Sequence, residues 1–364
     1  MKQKIVLLLT FDYEIFLGTN LLPPDKTLFE PTERILEICD KHSVKATFFP
    51  DVCSVWAHRA AGLNEFADKF EKQIKAALGA GHDVQLHLHP HWLDSAYKDG
   101  KWEISTDRMY LHELGFGNDD RSAGALIGRG ISYLNELLQP ISPNYRCLAF
   151  RAAGLALQPS EKEIIGALYE NGISVDTSIA KGLKVNVDTI WIDYSHMPEL
   201  SNWYINSESG LDKAATSGIL EIPIATFKSN IAAQLGFVIR RAKSVKQVRG
   251  MTISRVKHQS RLANLRTMLM YNLKYVTGRP WYLLSFDTKG FNTRMLLDGL
   301  EYHVRQHKND EIIMACVISH PKLMFDNQLC WMAEFIEETR KRYDITYATS
   351  TEAYKIFAGE NTSR

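Results

Sequence analysis

Short, almost unbroken apolar runs alternate along the chain with stretches in which apolar residues return every three or four positions. The run "KIVLLLTF" is followed by "PTERILEICDKH", "VKATFFP" by "GLNEFADKFEKQIKAALGAG", and "HDVQLHL" by "SAGALIGRGISYLNELL". Next come "CLAFRAAG", then "PSEKEIIGALYENG" before "ISVDTSI", and later "TRMLLDGLEYHVRQH" before "EIIMACVISH", with "DITYAT" near the end. Apolar runs of this length read as strands and the longer periodic stretches as helices. Their alternation predicts parallel strands joined by helices. The number of strands favours closure over an open sheet, so the expected fold is α/β, a distorted parallel (β/α) barrel of about seven strands.

Local signals place several helix ends. Pro31 occupies an N1-type position, Ser160 is a candidate N-cap with Glu163 three residues on, and Gly172 is a candidate helix stop. Two segments break the rhythm, at about residues 92–120 and 226–287. No Pro/Gly/Ser-rich linker, repeat or low-complexity tract accompanies them. They read as insertions on one scaffold, which predicts a single barrel domain over residues 1–364.

The composition, 45% hydrophobic and 23% charged over 364 residues, is that of a soluble chain able to bury a normal core. Five cysteines, odd in number and without a CxxC pair, argue against a disulfide framework or a thiolate zinc site. The opening "MKQKIVLLLTFDYE" is too short in apolar residues for a signal peptide or a membrane span. The expected location is therefore cytoplasmic. The formal net charge of +1 conceals a strong asymmetry, because twelve Lys/Arg and no Asp/Glu lie between Ile222 and Phe286. The rest of the chain is net acidic.

Strand ends in parallel α/β folds gather around a shared mouth, and four of them here carry unusual residues. Asp12 and Glu14 follow the first apolar run; two apart in an extended chain, they face the same way, with Tyr13 opposite. "HDVQLHLHPH" holds His87 and His91 four residues apart, a spacing suited to two imidazole ligands of a zinc-like ion, whereas His82 at the start of the run reads as structural. Arg151 ends "CLAFR" without an adjacent acid and calls for a carboxylate partner, with Asp12 the candidate. His320 ends "EIIMACVISH" in the same manner.

This ordered set resembles the polysaccharide deacetylase family, the NodB-like carbohydrate esterases. "TFDYE" resembles its first motif, "GHDVQLHLHPH" the second, "FRAAG" the third, "GISVDTSI" the fourth and "VISHP" the fifth, while "ILEIPIA" resembles a strand the family carries between the last two. The resemblance implies that Asp12 is the general base, His87 and His91 are metal-binding imidazoles, Arg151 orients Asp12, His320 is the general acid and Asp176 tunes it. It also implies a divalent metal, Zn2+ first. Tyr13 stands where the family places a metal aspartate, and the strand geometry favours Glu14 as that ligand. His89, in a spacer position, stands as a competing ligand or a substrate contact. "FRAAG" lacks the proline and aromatic of the third motif.

The resemblance further implies removal of an acetyl group from an N-acetylated sugar. Combined with a cytoplasmic location, it points to a precursor in surface-polysaccharide assembly. The basic insertion suits a diphosphate carried by the sugar or an anionic inner membrane face, besides serving as a solvated helical pair. No nucleic-acid motif accompanies it, so nucleic acid is not an expected partner. Two other readings fit the same barrel: an allantoinase-like amidohydrolase acting on a non-sugar amide, and a non-catalytic carbohydrate-binding relative.

Overall fold

The computed structural model describes residues 4–15, 23–187, 190–229, 234, 236–237, 240 and 280–359. Nine parallel-sheet segments organise it: β1 (Lys4–Tyr13), β2 (Thr47–Pro50), β3 (Asp83–Val84), β4 (Leu86–Leu88), β5 (Ala149–Ala152), β6 (Val175–Asp176), β7 (Ile219–Glu221), β8 (Ile312–Ser319) and β9 (Ile345–Tyr347). β3 and β4 are one strand interrupted at Gln85, and β9 lies beside the first half of β1.

Parallel pairing can be followed around a closed circuit. β8 pairs with β1, β1 with β2, and Asp51 just beyond β2 bridges to His87 on β4. β4 then pairs with β5, β5 with β6, and β6 with β7. Ile224, three residues past β7, bridges in parallel to Cys316 of β8. Seven strands, counting β3 and β4 as one, thus form the distorted barrel expected from the alternation.

The pleat sorts side chains between the barrel interior and the surrounding helices. Val6 and Leu8 of β1 pack inside with Phe49, Ala149, Val175, Leu220, Met314 and Cys316. Leu7, Leu9, Phe11 and Tyr13 belong to the outer core beneath the helices. Because the side-chain period is two, the inward row of β1 continues through Thr10 to Asp12 and Glu14. The interior is therefore apolar at its base and polar where the strands end.

The helices are α1 (Glu30–Lys41), α2 (Val52–Ala60), α3 (Asn64–Gly79), α4 (Ala123–Leu138), α5 (Glu161–Glu170), α6 (Thr293–Gln306), α7 (Asp326–Arg342) and α8 (Ser350–Phe357). Side-chain caps fix several starts: Asp51 accepts from Cys53 N, Ser122 from Ala125 N and Asn292 from Met295 N. A Cβ on Gly130 would lie 2.7 Å from Leu86, so glycine permits the close passage of α4 over β4. Gly172 has φ +85° just after α5, as a helix stop requires. Ser160 differs from expectation, since its left-handed backbone, φ 68°, aims no hydroxyl at the first turn. Pro31 sits in the first turn of α1, which is preceded by a π-helical turn at Asp25–Phe29.

The two insertions have different roots. Residues 92–120 form a 3-10 helix at Pro90–Asp94, a hairpin of Ala96–Lys98 with Lys101–Glu103, and a second 3-10 turn at Leu111–Leu114. The ends of the basic insertion meet as an antiparallel pair, Thr226–Lys228 with Trp281–Leu283. Most of its length, and with it the expected helical pair, lies outside the described residues. Among the described residues no helix is long and apolar enough to cross a membrane.

Candidate active site

Within "DYE" the pleat separates the three side chains. Tyr13 turns outward, where its hydroxyl donates to Gln73 Oε1 at 2.7 Å and its ring meets Phe70 edge-on. Asp12 and Glu14 turn inward and are 3% and 5% exposed. Two carboxylates so buried need partners, and each has its own cation.

Arg151, fully buried on β5, reaches Asp12 Oδ1 through Nη1 at 2.9 Å. Its remaining donors go to Thr177 Oγ1 at 2.8 Å and Thr10 Oγ1 at 3.0 Å, so the guanidinium is held on three sides. Lys322, in the 3-10 turn Pro321–Leu323 after β8, donates to Glu14 Oε1 at 2.7 Å and to the Ile15 carbonyl at 3.3 Å. Burial alone would push Glu14 upward, but Lys322 and the imidazoles of His89 and His87 hold its carboxyl well below the usual range. Glu14 is therefore a carboxylate, with Oε2 left to face the histidines.

His87 lies on β4 opposite Arg151 of β5. Its Nδ1 is 2.8 Å from the Arg151 carbonyl, an acceptor, so Nδ1 carries a proton and Nε2 is the atom turned to Glu14; burial lowers the ring, but the Glu14, Asp12 and Asp51 carboxylates raise it to about 9. Glu14 Oε2 lies 3.6 Å from His87 Nε2 and 2.5 Å from His89 Nε2. None of these three buried atoms has a hydrogen bond of acceptable geometry. Together the three side chains offer ligand atoms within 4.8 Å of one another. Convergent, desolvated donors that meet one another without a well-formed hydrogen bond suit a cation between them, and one carboxylate with two imidazoles is a donor set suited to zinc or a similar divalent ion. These residues fit the expected metal.

His91, expected as the second imidazole, is not part of this cluster. The chain is extended through His89, so His87 and His89, two apart, share a direction. It turns into a 3-10 helix only at Pro90, which carries the His91 ring against Trp92 at 5.5 Å and edge-on to His89 at 5.5 Å. His91 is fully buried, and burial depresses it to about 3. Asp51, at the end of β2, sets the position of His89 by accepting its backbone N–H at 3.1 Å. His82 accepts the Ala46 N–H at 3.2 Å within the core, and burial lowers it to about 4.

His320 leaves β8 with its ring between the two carboxylates. Nε2 is 3.6 Å from Asp12 Oδ2 and 3.6 Å from Glu14 Oε1. Nδ1 and the backbone N–H both bond Asp287 Oδ2, at 2.7 and 2.8 Å. Burial would lower His320, but the Asp287 carboxylate, assisted by Asp12, raises it above the ordinary value. Part of the ring remains open to solvent.

Asp287, not Asp176, is thus the carboxylate on His320. Asp176 lies between the inward Val175 and Thr177, so the pleat turns it to the other face of β6. There it accepts from Ser178 N and Oγ, both at 2.9 Å, and neighbours Glu221 across the β6–β7 register. Burial, and then the Asp176 charge, push Glu221 well above its usual range, and burial likewise raises Asp176. Two such carboxyls side by side retain a proton between them.

No family pattern and no curated protein matches the sequence. Solved structures give full-length likenesses, the first with a shared fold. A protein from Mycobacterium smegmatis named as a candidate polysaccharide deacetylase superposes with TM-score 0.51 at 14% identity, covering 100% of this chain and 95% of its own. A second candidate polysaccharide deacetylase, from Pseudomonas aeruginosa PAO1, gives 0.48 at 12% identity over 99% and 93%. The allantoinase Puue gives 0.47 at 13% identity over 99% and 92%. With its closed circuit of parallel strands and full-length likeness to the Mycobacterium smegmatis protein, this chain has the fold of the NodB-like polysaccharide deacetylases.

Proposed function

We propose that the protein is a metal-dependent hydrolase that removes the acetyl group from an N-acetylated sugar. The observation that carries this reading is the meeting of Glu14 Oε2, His87 Nε2 and His89 Nε2, all buried and facing one another without a well-formed hydrogen bond, beside Asp12 and His320. Glu14, His87 and His89 would hold the divalent ion, which supplies Lewis acidity toward a water and an acyl oxygen.

The chain's own groups account for the proton movements. Arg151 occupies Asp12 Oδ1, which leaves Oδ2 to take a proton from the attacking water as its oxygen bonds to the acetyl carbon. His320, held by Asp287 and kept protonated by it, gives the Nε2 proton to the amide nitrogen as the C–N bond breaks. The products are acetate and a free amino sugar, and the proton on Asp12 returns the histidine to its starting state. Asp12 and His320 face each other across 3.6 Å, so this return crosses a short gap.

The biological substrate we assign is a precursor in surface-polysaccharide assembly, carried on a diphosphate and met in the cytoplasm, in part at an anionic membrane face. Support for this comes from the twelve cationic and no acidic residues between Ile222 and Phe286. Binding to anionic vesicles that weakens as salt rises supports the membrane part; binding indifferent to salt contradicts it.

Acetate release tests the chemistry. Asp12→Asn and His320→Ala should each lower turnover by about 10²–10⁴-fold while the melting transition shows a folded protein. Unimpaired acetate release by Asp12→Asn contradicts the assignment.

A further inference from the structure

The two inward carboxylates at the end of β1 each have one oxygen taken by a fixed cation. Arg151 Nη1 holds Asp12 Oδ1 at 2.9 Å, and Lys322 Nζ holds Glu14 Oε1 at 2.7 Å. The oxygens left over are the ones that face the imidazoles: Asp12 Oδ2 lies 3.6 Å from His320 Nε2, and Glu14 Oε2 meets His87 and His89. Arg151 thereby decides which oxygen of Asp12 acts as base. Lys322 makes the same kind of choice for Glu14.

Lys322 shares a rigid turn with His320. The Leu323 N–H donates to the His320 carbonyl at 2.9 Å and the Met324 N–H to the Pro321 carbonyl at 3.0 Å, closing the 3-10 turn after β8, in which Pro321 fixes its own φ. The Lys322 side chain is 11% exposed, and its ammonium also bonds the Ile15 carbonyl at 3.3 Å. It is therefore anchored to the backbone directly after Glu14 as well as to the carboxylate. An ammonium seated in this way is a compact point charge at a fixed place.

Its position on Oε1 has two consequences. A carboxylate with both oxygens free can bind a divalent ion through both, whereas a catalytic ion needs a coordination position left open. With Oε1 bonded to Lys322, Glu14 has Oε2 alone to offer. His320 Nε2, in turn, is 3.6 Å from Glu14 Oε1 as well as from Asp12 Oδ2. The ammonium already donates to Oε1, which leaves Asp12 Oδ2 as the less occupied acceptor.

We infer that Lys322 is a positioning residue that confines Glu14 to coordination through one oxygen and so keeps the divalent ion open to water and substrate. The inference rests on the metal-dependent deacetylase reading of the site.

The test loads the full chain and its variants with cobalt(II) in place of zinc, since its visible absorption weakens as the coordination number rises. Lys322→Met should still bind about one equivalent of cobalt by elemental analysis, absorb more weakly than the parent, and lose about tenfold or more in kcat/KM for acetate release. Lys322→Arg keeps a cation on Oε1 and should keep the parent spectrum. Lys322→Gln keeps a donor without the charge, should fall between the two, and serves if Lys322→Met fails to melt cooperatively. A parent-like spectrum in folded Lys322→Met overturns the inference. So does loss of bound cobalt, which would make Lys322 a support for binding the ion rather than for keeping it open. The spectrum also separates the two readings. Weakened absorption in Lys322→Met, with no acetate released by the parent chain, keeps the role of Lys322 and removes the deacetylase. Acetate release by the parent with the same spectrum in both proteins does the reverse, and a parent chain that binds no cobalt removes both.

Discussion

One oxygen of Asp287, Oδ2, accepts both the Nδ1 proton and the backbone N–H of His320, at 2.7 and 2.8 Å. Two bonds to one atom fix the plane of the ring, and Nε2 is thereby pointed between Asp12 and Glu14. The same carboxylate keeps the imidazole protonated to higher pH than burial alone would allow. As general acid, His320 is active only while protonated, so activity falls as pH rises through its pKa. Asp287→Asn removes the raising charge, and the basic limb of the kcat/KM profile should move to lower pH by about one unit or more. An unmoved limb would separate Asp287 from the acid.

Arg151 and Asp12 form a fully desolvated pair at 2.9 Å, with side chains 0% and 4% exposed. Arg151→Met leaves the Asp12 charge buried without its cation, at a cost of about 3–5 kcal/mol. Adding Asp12→Asn removes that charge and should restore part of the loss. Denaturant unfolding of both single variants and the double variant measures this coupling, and strictly additive losses would contradict it.

The site was legible where a strand's own sequence ends in a polar residue. Asp12, Glu14, His87, Arg151 and His320 each follow an apolar run, and a parallel barrel brings such ends to one mouth. What depends on pairing across the sheet was not legible. Motif order places Asp176 beside His320, but its position between Val175 and Thr177 sends it to the opposite face, beside Glu221. Asp287 carried a usable signal, since "LLSFDTKG" repeats the apolar run and Phe-Asp ending of "LLLTFDYE". It closes a segment whose pattern reads as an insertion, which hides it among the strand ends. The i,i+4 spacing of His87 and His91 suits a helical face or a tight turn, whereas the backbone is extended on β4 and His87 and His89, two apart, are the imidazoles that meet Glu14.

The Glu221 and Asp176 carboxyls, at neighbouring register positions, bear on stability more than on chemistry. Glu221 has its pKa raised by burial and by Asp176, so the folded state holds a proton that the unfolded chain releases above its ordinary carboxyl pKa. Its contribution is complete at pH below that value and is lost as pH rises toward the folded pKa, by up to about 1.4 kcal/mol per unit. Glu221→Gln keeps the shape and lacks the titration. Its melting temperature should vary less with pH between about 5 and 8 than that of the parent chain. Parallel pH profiles for the two proteins would contradict this.

The central claim is that Glu14, His87 and His89 hold one catalytic divalent ion. Elemental analysis of stripped and zinc-reloaded protein, paired with acetate release from an N-acetylated sugar, tests it most directly. The parent chain and His91→Ala should each retain about one equivalent of metal and release acetate, while His89→Ala, still folded by its melting transition, should lose both. Full metal occupancy in His89→Ala, or its loss in a folded His91→Ala alone, would contradict the account.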